Sequence, residues 1–315
     1  MSYTIKENEP LSHHTVFNIG GPARFFAELS SAEDLALVVK ASRRSGLPWV
    51  MLGAGSNVLV SDRGFNGVVI RWQGGEVRVD GRDVIADAPV AMARVVRASL
   101  AGGLRGFEWA IGIPGTIGGS VRGNAGCFGR EIKDVVKTVL VFNAAAENSE
   151  SWTHDRAEFK YRDSVFKRRP ELVITSVVIS LEPGDAKAGE ELVRQYSMHR
   201  SKTQDIGSHS AGCIFKNVPW ASIAAGRDTF LGRFPELAKF SDLPAIPAGF
   251  LVERVGLKGC ILGRAKVSER HGNFFLNTGG ATAGEIRALV GIAKNLVHEA
   301  YGLTLEEEIQ YLGFE

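Results

Sequence analysis

The alternation of apolar and polar residues predicts five helices. In the first of them Ser31 is placed to cap the helix, apolar positions then fall on one face, and Gly46 ends it. In the last, Thr282 and Glu285 have the spacing of a capping box at the start of a strongly amphipathic segment. The predicted helices cover 31–46, 91–100, 190–200, 249–255 and the segment that begins at 282.

Short apolar segments between these helices predict strands, and Asp80-Gly81 has the composition of a hairpin turn between two of them. The predicted strands are 49–52, 68–72, 76–79, 84–86, 137–143, 172–181, 264–267, 273–276 and 304–312. Because helices and strands do not alternate regularly, the pattern predicts an α+β fold and disfavours a dinucleotide-type parallel sheet.

Composition and charge narrow the class of protein. A chain of 315 residues with 44% hydrophobic content can bury a sizeable core and form two or three subdomains. Its 37 basic and 35 acidic residues are interspersed, with a net charge of +2, so no nucleic-acid partner is expected. The N-terminus has no apolar signal core, and the longest uncharged runs, 109–121 and 271–284, are too short and glycine-rich to span a bilayer.

Three cysteines, Cys127, Cys213 and Cys260, are odd in number and far apart along the chain. This arrangement favours reduced thiols over disulfides and has no metal-ligand spacing, so we expect no metal site. With the absent membrane segment, it predicts a soluble protein of the cytoplasm.

Two glycine-rich stretches, 52–62 and 112–126, need a physical reason, because glycine costs a folded chain backbone entropy. Neither is a known mononucleotide loop: the first would need glycine at Val58, and no G-x-x-x-x-G-K-[ST] occurs. One reason is backbone pressed against a phosphate-bearing ligand, with exposed amides as anion partners. Tight turns and bulges without a ligand are the alternative.

Nine short motifs follow one another along the chain: T-V-F-N-I-G-G-P-A (15–23), G-A-G-S-N (53–57), G-I-P-G-T-I-G-G (112–119), N-A-G (124–126), Y-R-D-S (161–164), A-G-C-I-F-K-N (211–217), G-L-K-G (256–259), V-S-E-R-H-G-N-F (267–274) and L-E-E-E-I (305–309). Their order closely resembles the UDP-N-acetylenolpyruvoylglucosamine reductase family, FAD enzymes of bacterial peptidoglycan precursor synthesis, over roughly residues 15–313. Each motif alone is weak, whereas their combination is highly specific.

The resemblance implies a two-subdomain FAD-binding region of the vanillyl-alcohol-oxidase type, over residues 1–200 with subdomains of about 1–72 and 73–200. An α+β substrate domain would follow over 201–315. Residues 218–247 form an insert longer than the family pattern, and the sequence leaves open whether it is a lid or surface decoration. No separate tyrosine-bearing insertion is found, which indicates the shorter type of the family.

The resemblance also implies non-covalent FAD, with NADPH as hydride donor. In this family NADPH and substrate use one pocket in turn, so no second nucleotide-binding fold is needed. The residues implied to bind FAD are Gly53, Gly55, Ser56, Asn57, Ile113, Pro114, Gly115, Thr116, Gly119, Asn124, Ala125 and Gly126.

By the same resemblance the substrate is a UDP-linked amino sugar enolpyruvate. Reducing its enol ether adds hydride to one alkene carbon and a proton to the next, while charge builds on the carboxylate. Arg162 and Glu308 match the family's carboxylate-side pair, and Cys213 occupies the proton-donor position where the family usually has serine. The residues implied to bind the rest of the substrate are Tyr161, Lys216 and Asn217.

Each of these residues, taken alone, could also have a structural role that involves neither substrate nor cofactor. Arg162 could form a surface ion pair with Asp163 or Glu158, Glu308 could be a solvated charge, and Cys213 could be an inert buried thiol. For the whole chain, two other functions remain open: an FAD-dependent alcohol or sugar oxidase of the same superfamily, and a non-catalytic flavin-binding scaffold. The oligomeric state does not follow from the sequence.

Overall fold

The computed structural model describes residues 3–224 and 226–314. Met1, Ser2, Ala225 and Glu315 lie outside the described residues, and so do the parts of the sequence predictions that fall on them: the first residues of the N-terminal segment, one position of the insert and the last residue of the substrate domain.

Strands and short β-bridged segments occur throughout the described chain. In chain order they are β1 (Thr4–Pro10), β2 (Pro22–Leu29), β3 (Trp49–Met51), β4 (Val58–Val60), β5 (Phe65–Trp72), β6 (Val77–Asp80), β7 (Asp83–Asp87), β8 (Leu104–Arg105), β9 (Gly126–Cys127), β10 (Arg130–Glu131), β11 (Val136–Asn143), β12 (Asn148–Thr153), β13 (Leu172–Ser180), β14 (Glu182–Pro183), β15 (Val218–Pro219), β16 (Ala245–Ile246), β17 (Ile261–Leu262), β18 (Ala265–Val267), β19 (Phe275–Asn277) and β20 (Gln310–Leu312).

The α-helices include the five that the sequence predicts. They are α1 (Ala32–Arg44), α2 (Met92–Ala101), α3 (Ile117–Arg122), α4 (Val165–Arg168), α5 (Ala186–Thr203), α6 (Arg227–Arg233), α7 (Ala248–Arg254) and α8 (Ala283–Tyr301). The predicted caps are present: Ser31 Oγ accepts a hydrogen bond from the Asp34 amide at 3.2 Å, and Thr282 with Glu285 forms the capping box of α8. Helices α3 and α4 are too short to show a helical period in the sequence, and the sequence analysis predicted no helix at α6, which lies in the insert.

The chain divides into two compact units. The first consists of Met1–Glu9, Pro22–Gly55 and Phe65–Lys202, and the second of Pro10–Gly21, Ser56–Gly64 and Thr203–Glu315. Two segments that the sequence analysis assigned to the first domain thus belong to the second unit. The reason is visible for one of them, because β4 pairs in parallel with β20, with Val58 opposite Gln310.

The first unit contains a four-stranded sheet in the order β1-β2-β5-β3, in which β2 and β3 both run parallel to β5. Helix α1 connects β2 to β3 and buries Leu35 and Val38 against this sheet, in a core that includes Val68 and Ile70. Parallel pairs are therefore present, although the sequence disfavoured a dinucleotide-type parallel sheet. The strands are parallel because the chain crosses over twice, through α1 between β2 and β3 and through residues 52–64 between β3 and β5.

A second sheet of the first unit has the order β12-β11-β13-β7-β6 and is antiparallel throughout. Helices α2 and α3 belong to its core, where Val95, Ile117 and Val121 are buried with Val139 and Ile179. The segment between α2 and α3 contains the first half of the second glycine-rich stretch, so this sheet fixes where that stretch lies.

The second unit is built around α8, whose buried face packs against the β17-β18-β19 sheet. The described part of the insert belongs to the same core, since Trp220, Phe230, Leu237 and Ile246 are all buried in it. The insert is therefore a packed part of this unit.

The predicted strand 304–312 is shorter in the structure, where only Gln310–Leu312 is a strand. The preceding residues instead form an isolated β-bridge with the segment around Phe215, through the pair Phe215 and Glu307. The predicted strand was too long because residues 304–312 do not all pair with the same segment. The alternation of apolar and polar residues does not reveal such a change of partner.

Candidate active site

The second glycine-rich stretch contains glycines with two different roles. Thr116 caps α3, its Oγ1 accepting a hydrogen bond from the Gly119 amide at 3.1 Å. A β-carbon on the buried Gly118 would lie 2.7 Å from the Ala88 β-carbon, so this glycine is required by packing. A β-carbon on the exposed Gly119 would meet only Thr116 Oγ1, at 3.3 Å. Packing does not explain Gly119.

The first glycine-rich stretch reaches the same threonine within the first unit. A β-carbon on Gly53, which is also exposed, would lie 3.2 Å from Thr116 Oγ1 and near no other residue. Gly53 and Gly119 thus border Thr116 with bare, open backbone. Such a surface fits a ligand that approaches the main chain closely, as FAD would.

Three neighbouring predicted FAD residues belong to the loop that leads into α3. Ile113 is half-buried against the core of the antiparallel sheet, Pro114 is exposed, and Gly115 has a φ of +116°. The Gly115 carbonyl accepts a hydrogen bond from the Met92 amide at 3.1 Å. The positive φ explains glycine at this position, because L side chains rarely adopt it.

The remaining predicted FAD residues of the first stretch lie on both sides of the division between units. Gly55, with a φ of +63°, is the last residue of its segment in the first unit, whereas Ser56 and Asn57 belong to the second. Asn57 Nδ2 donates to the Glu308 carbonyl at 3.2 Å, and the Asn57 carbonyl accepts from the Gln310 amide at 2.9 Å. Asn57 therefore anchors the chain next to Glu308.

The N-A-G residues act within the first unit as anchors. Asn124 is fully buried, its Nδ2 donating to the Lys160 carbonyl at 2.8 Å and its Oδ1 accepting from the Lys133 amide at 3.0 Å. The Ala125 carbonyl accepts from the Ile132 amide at 2.9 Å, and a β-carbon on Gly126 would lie 2.3 Å from the Arg130 carbonyl oxygen. The Asn124 side chain thus positions the segment that leads to Tyr161.

Arg162 is directed onto the N-A-G segment. Its Nη2 donates to the Gly126 carbonyl at 2.7 Å, and its Nη1 lies 4.0 Å from Glu131 Oε1. Its backbone has a φ of +54°, and its guanidinium carbon lies 5.2 Å from the centre of the exposed Tyr161 ring. Both acids that the sequence offered as its surface partners, Asp163 and Glu158, pair with Arg168.

Cys213 and Glu308 come together in the second unit. The Glu308 amide donates to the Ile214 carbonyl at 2.7 Å, and the Lys216 amide donates to the Glu306 carbonyl at 2.8 Å. Both Cys213 and Glu308 are half-buried. The structure thus places two of the three predicted catalytic residues on adjacent paired segments, while Arg162 belongs to the first unit.

The two predicted substrate residues that follow Cys213 are both held by protein groups. The Lys216 ammonium group is paired with the Glu306 carboxylate. Asn217 Oδ1 accepts from the Ala248 amide at 3.1 Å, at the first turn of α7. A ligand phosphate at Lys216 would therefore compete with Glu306.

Sequence reasoning did not identify two residues that support the Cys213 segment. Asn273, which is buried, donates from Nδ2 to the Phe215 carbonyl at 2.8 Å and accepts at Oδ1 from the Phe215 amide at 2.9 Å. His271 Nδ1 accepts from the Asn273 amide at 3.2 Å. Both residues occur in the V-S-E-R-H-G-N-F motif, but only the fold shows what they hold.

Burial lowers the pKa of His271, with Lys258 adding to the effect. The unfolded chain then binds more protons than the native one below about pH 6.5, so stability should fall as the pH drops through this range. We expect urea unfolding to show a free energy that decreases between pH 7.5 and 5.5, by at most about 1.4 kcal/mol per pH unit from this group.

Replacing His271 with glutamine should flatten that pH dependence, whereas the exposed His13→Gln variant should leave it unchanged. An equal slope in the parent protein and in His271→Gln would contradict the assignment.

The geometry can be compared with known proteins. The FAD binding domain family model matches residues 23–148, and the model of the UDP-N-acetylenolpyruvoylglucosamine reductase C-terminal domain matches residues 204–312. Within the described residues no helix is long and apolar enough to cross a membrane, and no group of three or more His, Cys, Asp or Glu residues could hold a metal ion.

Relatives with the same name cover almost the whole chain. UDP-N-acetylenolpyruvoylglucosamine reductase from Carboxydothermus hydrogenoformans is 36% identical over 99% of this chain and 95% of its own length. The enzyme of that name from Synechococcus is 35% identical over 99% and 94%, respectively. The crystal structure of UDP-N-acetylenolpyruvylglucosamine reductase from Thermus caldophilus aligns with a TM-score of 0.76 at 28% identity, covering 99% of both chains. The chain therefore belongs to the UDP-N-acetylenolpyruvoylglucosamine reductase family.

Proposed function

We propose that this protein uses NADPH and non-covalent FAD to reduce UDP-N-acetylglucosamine enolpyruvate to UDP-N-acetylmuramate, a step in peptidoglycan precursor synthesis. The observation that carries the proposal is similarity to named reductases along 99% of the chain, including both the FAD binding domain and the reductase C-terminal domain. A flavin-binding region at residues 1–200 and a substrate domain at 201–315 are part of this proposal.

The open backbone at Gly53, Thr116 and Gly119 supports FAD binding, since nothing but Thr116 would contact a β-carbon on either glycine. We assign the remaining contacts to the neighbouring loop residues, with Asn124 acting through the segment that it positions. When bound, FAD would take hydride from NADPH and deliver it to the substrate double bond.

Arg162 and Glu308 are assigned to the carboxylate end of the substrate. Hydride addition at the alkene carbon remote from the carboxylate pushes electrons toward that carboxylate. A guanidinium and an acid at this end stabilise the charge as it develops, because both interactions strengthen in the transition state. The hydrogen bond from Arg162 to the Gly126 carbonyl supports this assignment by fixing the guanidinium beside the flavin-binding segment.

Cys213 is assigned as the proton donor to the second alkene carbon. A thiol has a reference pKa of about 8.5 and is mostly protonated at neutral pH. The half-buried side chain retains contact with solvent, from which the thiol can regain its proton. The reaction is then balanced, because hydride from NADPH and one proton from the thiol saturate the double bond.

Lys216, Asn217 and Tyr161 are assigned to the nucleotide and sugar of the substrate. Lys216 would exchange its Glu306 partner for a phosphate oxygen, which accepts charge-assisted hydrogen bonds of comparable strength.

One experiment separates this function from its alternatives. The purified protein should bind flavin that acid precipitation releases, should lose its yellow colour with NADPH under anaerobic conditions, and should regain it on addition of the enolpyruvyl substrate. Flavin that stays with the precipitated chain would indicate an oxidase with covalent flavin. Flavin that NADPH does not bleach would indicate a scaffold without catalysis.

A further inference from the structure

Arg200 lies over the beginning of the second glycine-rich stretch. It stands in the last turn of α5 and is half-buried. A β-carbon on Gly112, which is exposed, would lie 3.0 Å from both Cδ and Nε of Arg200. The guanidinium is thus held beside bare backbone of the region that the FAD binding domain model covers.

The position of α5 is fixed by aromatic packing on the β9-β10 hairpin. The Phe128 ring stacks on Tyr196 with a centroid distance of 4.3 Å, and it meets the edge of His199 at 5.5 Å. Phe128 adopts a φ of +53°, which is unfavourable for a side chain of this size, and it remains 39% exposed. The stacking therefore anchors the end of α5 that carries Arg200.

The half-buried guanidinium of Arg200 has few acidic or hydrogen-bonding partners within the protein. Among the described residues, 3–224 and 226–314, no acidic side chain forms an ion pair with Arg200. Its buried Nε has no hydrogen-bond partner there either. The Cys127 thiol lies close enough to feel the charge of the guanidinium, and it donates its hydrogen bond to the Trp109 carbonyl at 2.9 Å. Burial raises the pKa of that thiol, although Arg200 and Arg162 oppose the effect, so the thiol is neutral and supplies no counter-charge.

A second cation lies near the Cys127 thiol. It is the Arg162 guanidinium, whose acidic neighbour Glu131, 4.0 Å away, is also paired with Lys133 at 2.7 Å. A partly desolvated cation without an acidic partner is costly unless a ligand supplies negative charge. Arg200 is therefore poised for an anionic group that binds at the glycine-rich stretch.

The cofactor acquires such a charge during the reaction. NADPH transfers a hydride, which is two electrons and one proton, and leaves as NADP⁺, so the flavin ring gains one negative charge until a proton reaches it. We propose that Arg200 lies against the FAD ring system and stabilises its reduced, negatively charged form. This role requires only that FAD is bound, and it is independent of the roles assigned to Cys213 and Glu308.

The test is the midpoint potential of the bound flavin, measured by equilibration with a reference dye. Arg200→Gln should lower the preference for the reduced form by about tenfold or more, which makes the two-electron potential about 30 mV more negative per tenfold change. Arg194→Gln is the matched control, because Arg194 is an exposed arginine on the same helix that pairs with Glu191. Its potential should equal that of the parent protein.

A second variant guards against misfolding. Arg200→Met keeps the aliphatic stem over Gly112 and removes only the charged group, so it should show the same lowered potential. A parental potential in either folded variant overturns the proposal. If the potential is parental while the substrate KM rises, Arg200 instead serves the substrate carboxylate, which also overturns it.

Discussion

Replacing Cys213 with alanine is expected to slow reoxidation of the reduced flavin by substrate at least about 100-fold, the usual scale for loss of a general acid. Reduction of the flavin by NADPH should proceed at the parental rate, because that half-reaction transfers no proton to carbon. The physical reason is that alanine cannot supply the proton that the second alkene carbon requires. Stopped-flow absorbance of the two half-reactions measures both rates separately.

The matched variant is Cys213→Ser, which should retain substantial turnover because a serine hydroxyl can also donate a proton. An inert structural cysteine predicts the reverse order, since a desolvated hydroxyl costs more than a methyl group. Reoxidation of the alanine variant at the parental rate would contradict the assignment of Cys213 as the proton donor. In that case the proton would have to come from water or another side chain.

Replacing Gly119 with valine is expected to weaken FAD binding about 10- to 100-fold without unfolding the protein. Gly119 is exposed, and a β-carbon there would meet only Thr116 Oγ1, at 3.3 Å. The branched side chain would therefore occupy the open space beside Gly53 in which the flavin is expected to lie. Titration of the apoprotein with FAD, followed by flavin fluorescence, measures the affinity.

The adjacent Gly118→Val variant is the control for packing. Its β-carbon would lie 2.7 Å from the Ala88 β-carbon, so we expect thermal destabilisation of the order of 1–3 kcal/mol. If Gly119→Val kept full FAD affinity, the exposed face of α3 would not be part of the flavin-binding surface. If Gly119→Val lost as much thermal stability as we expect for Gly118→Val, Gly119 would be a packing residue.

Much of the secondary structure follows from local signals. The caps at Ser31 and Thr282 each depend on a residue three positions away, so the sequence locates the starts of α1 and α8 closely. The parallel pairing of β2 with β5 and the pairing of β4 with β20 could not be predicted. Strand partners distant in sequence are chosen by the packing of the whole sheet, which alternation within one strand does not encode.

Some residues of the candidate site follow from the sequence, and others appear only in the fold. The motif order predicts Arg162, Cys213 and Glu308 as catalytic residues, and the structure pairs the chain around Cys213 with the chain around Glu308. Asn273 and Arg200 carried no signal of their own. Asn273 acts on Phe215, 58 residues away, and Arg200 acts on Gly112, so their roles appear only when the fold brings these residues together.

The sequence by itself determined the α+β class, the family and its chemistry, because these depend on residue types in a fixed order. Tertiary structure alone decided that Gly118 serves packing while Gly119 is left open, and that Asn124 is used up by internal hydrogen bonds. It also decided that residues 56–64 belong with the second unit. The physical reason is that a motif specifies which groups are available, whereas burial and distant partners determine which of those groups remain exposed to a ligand.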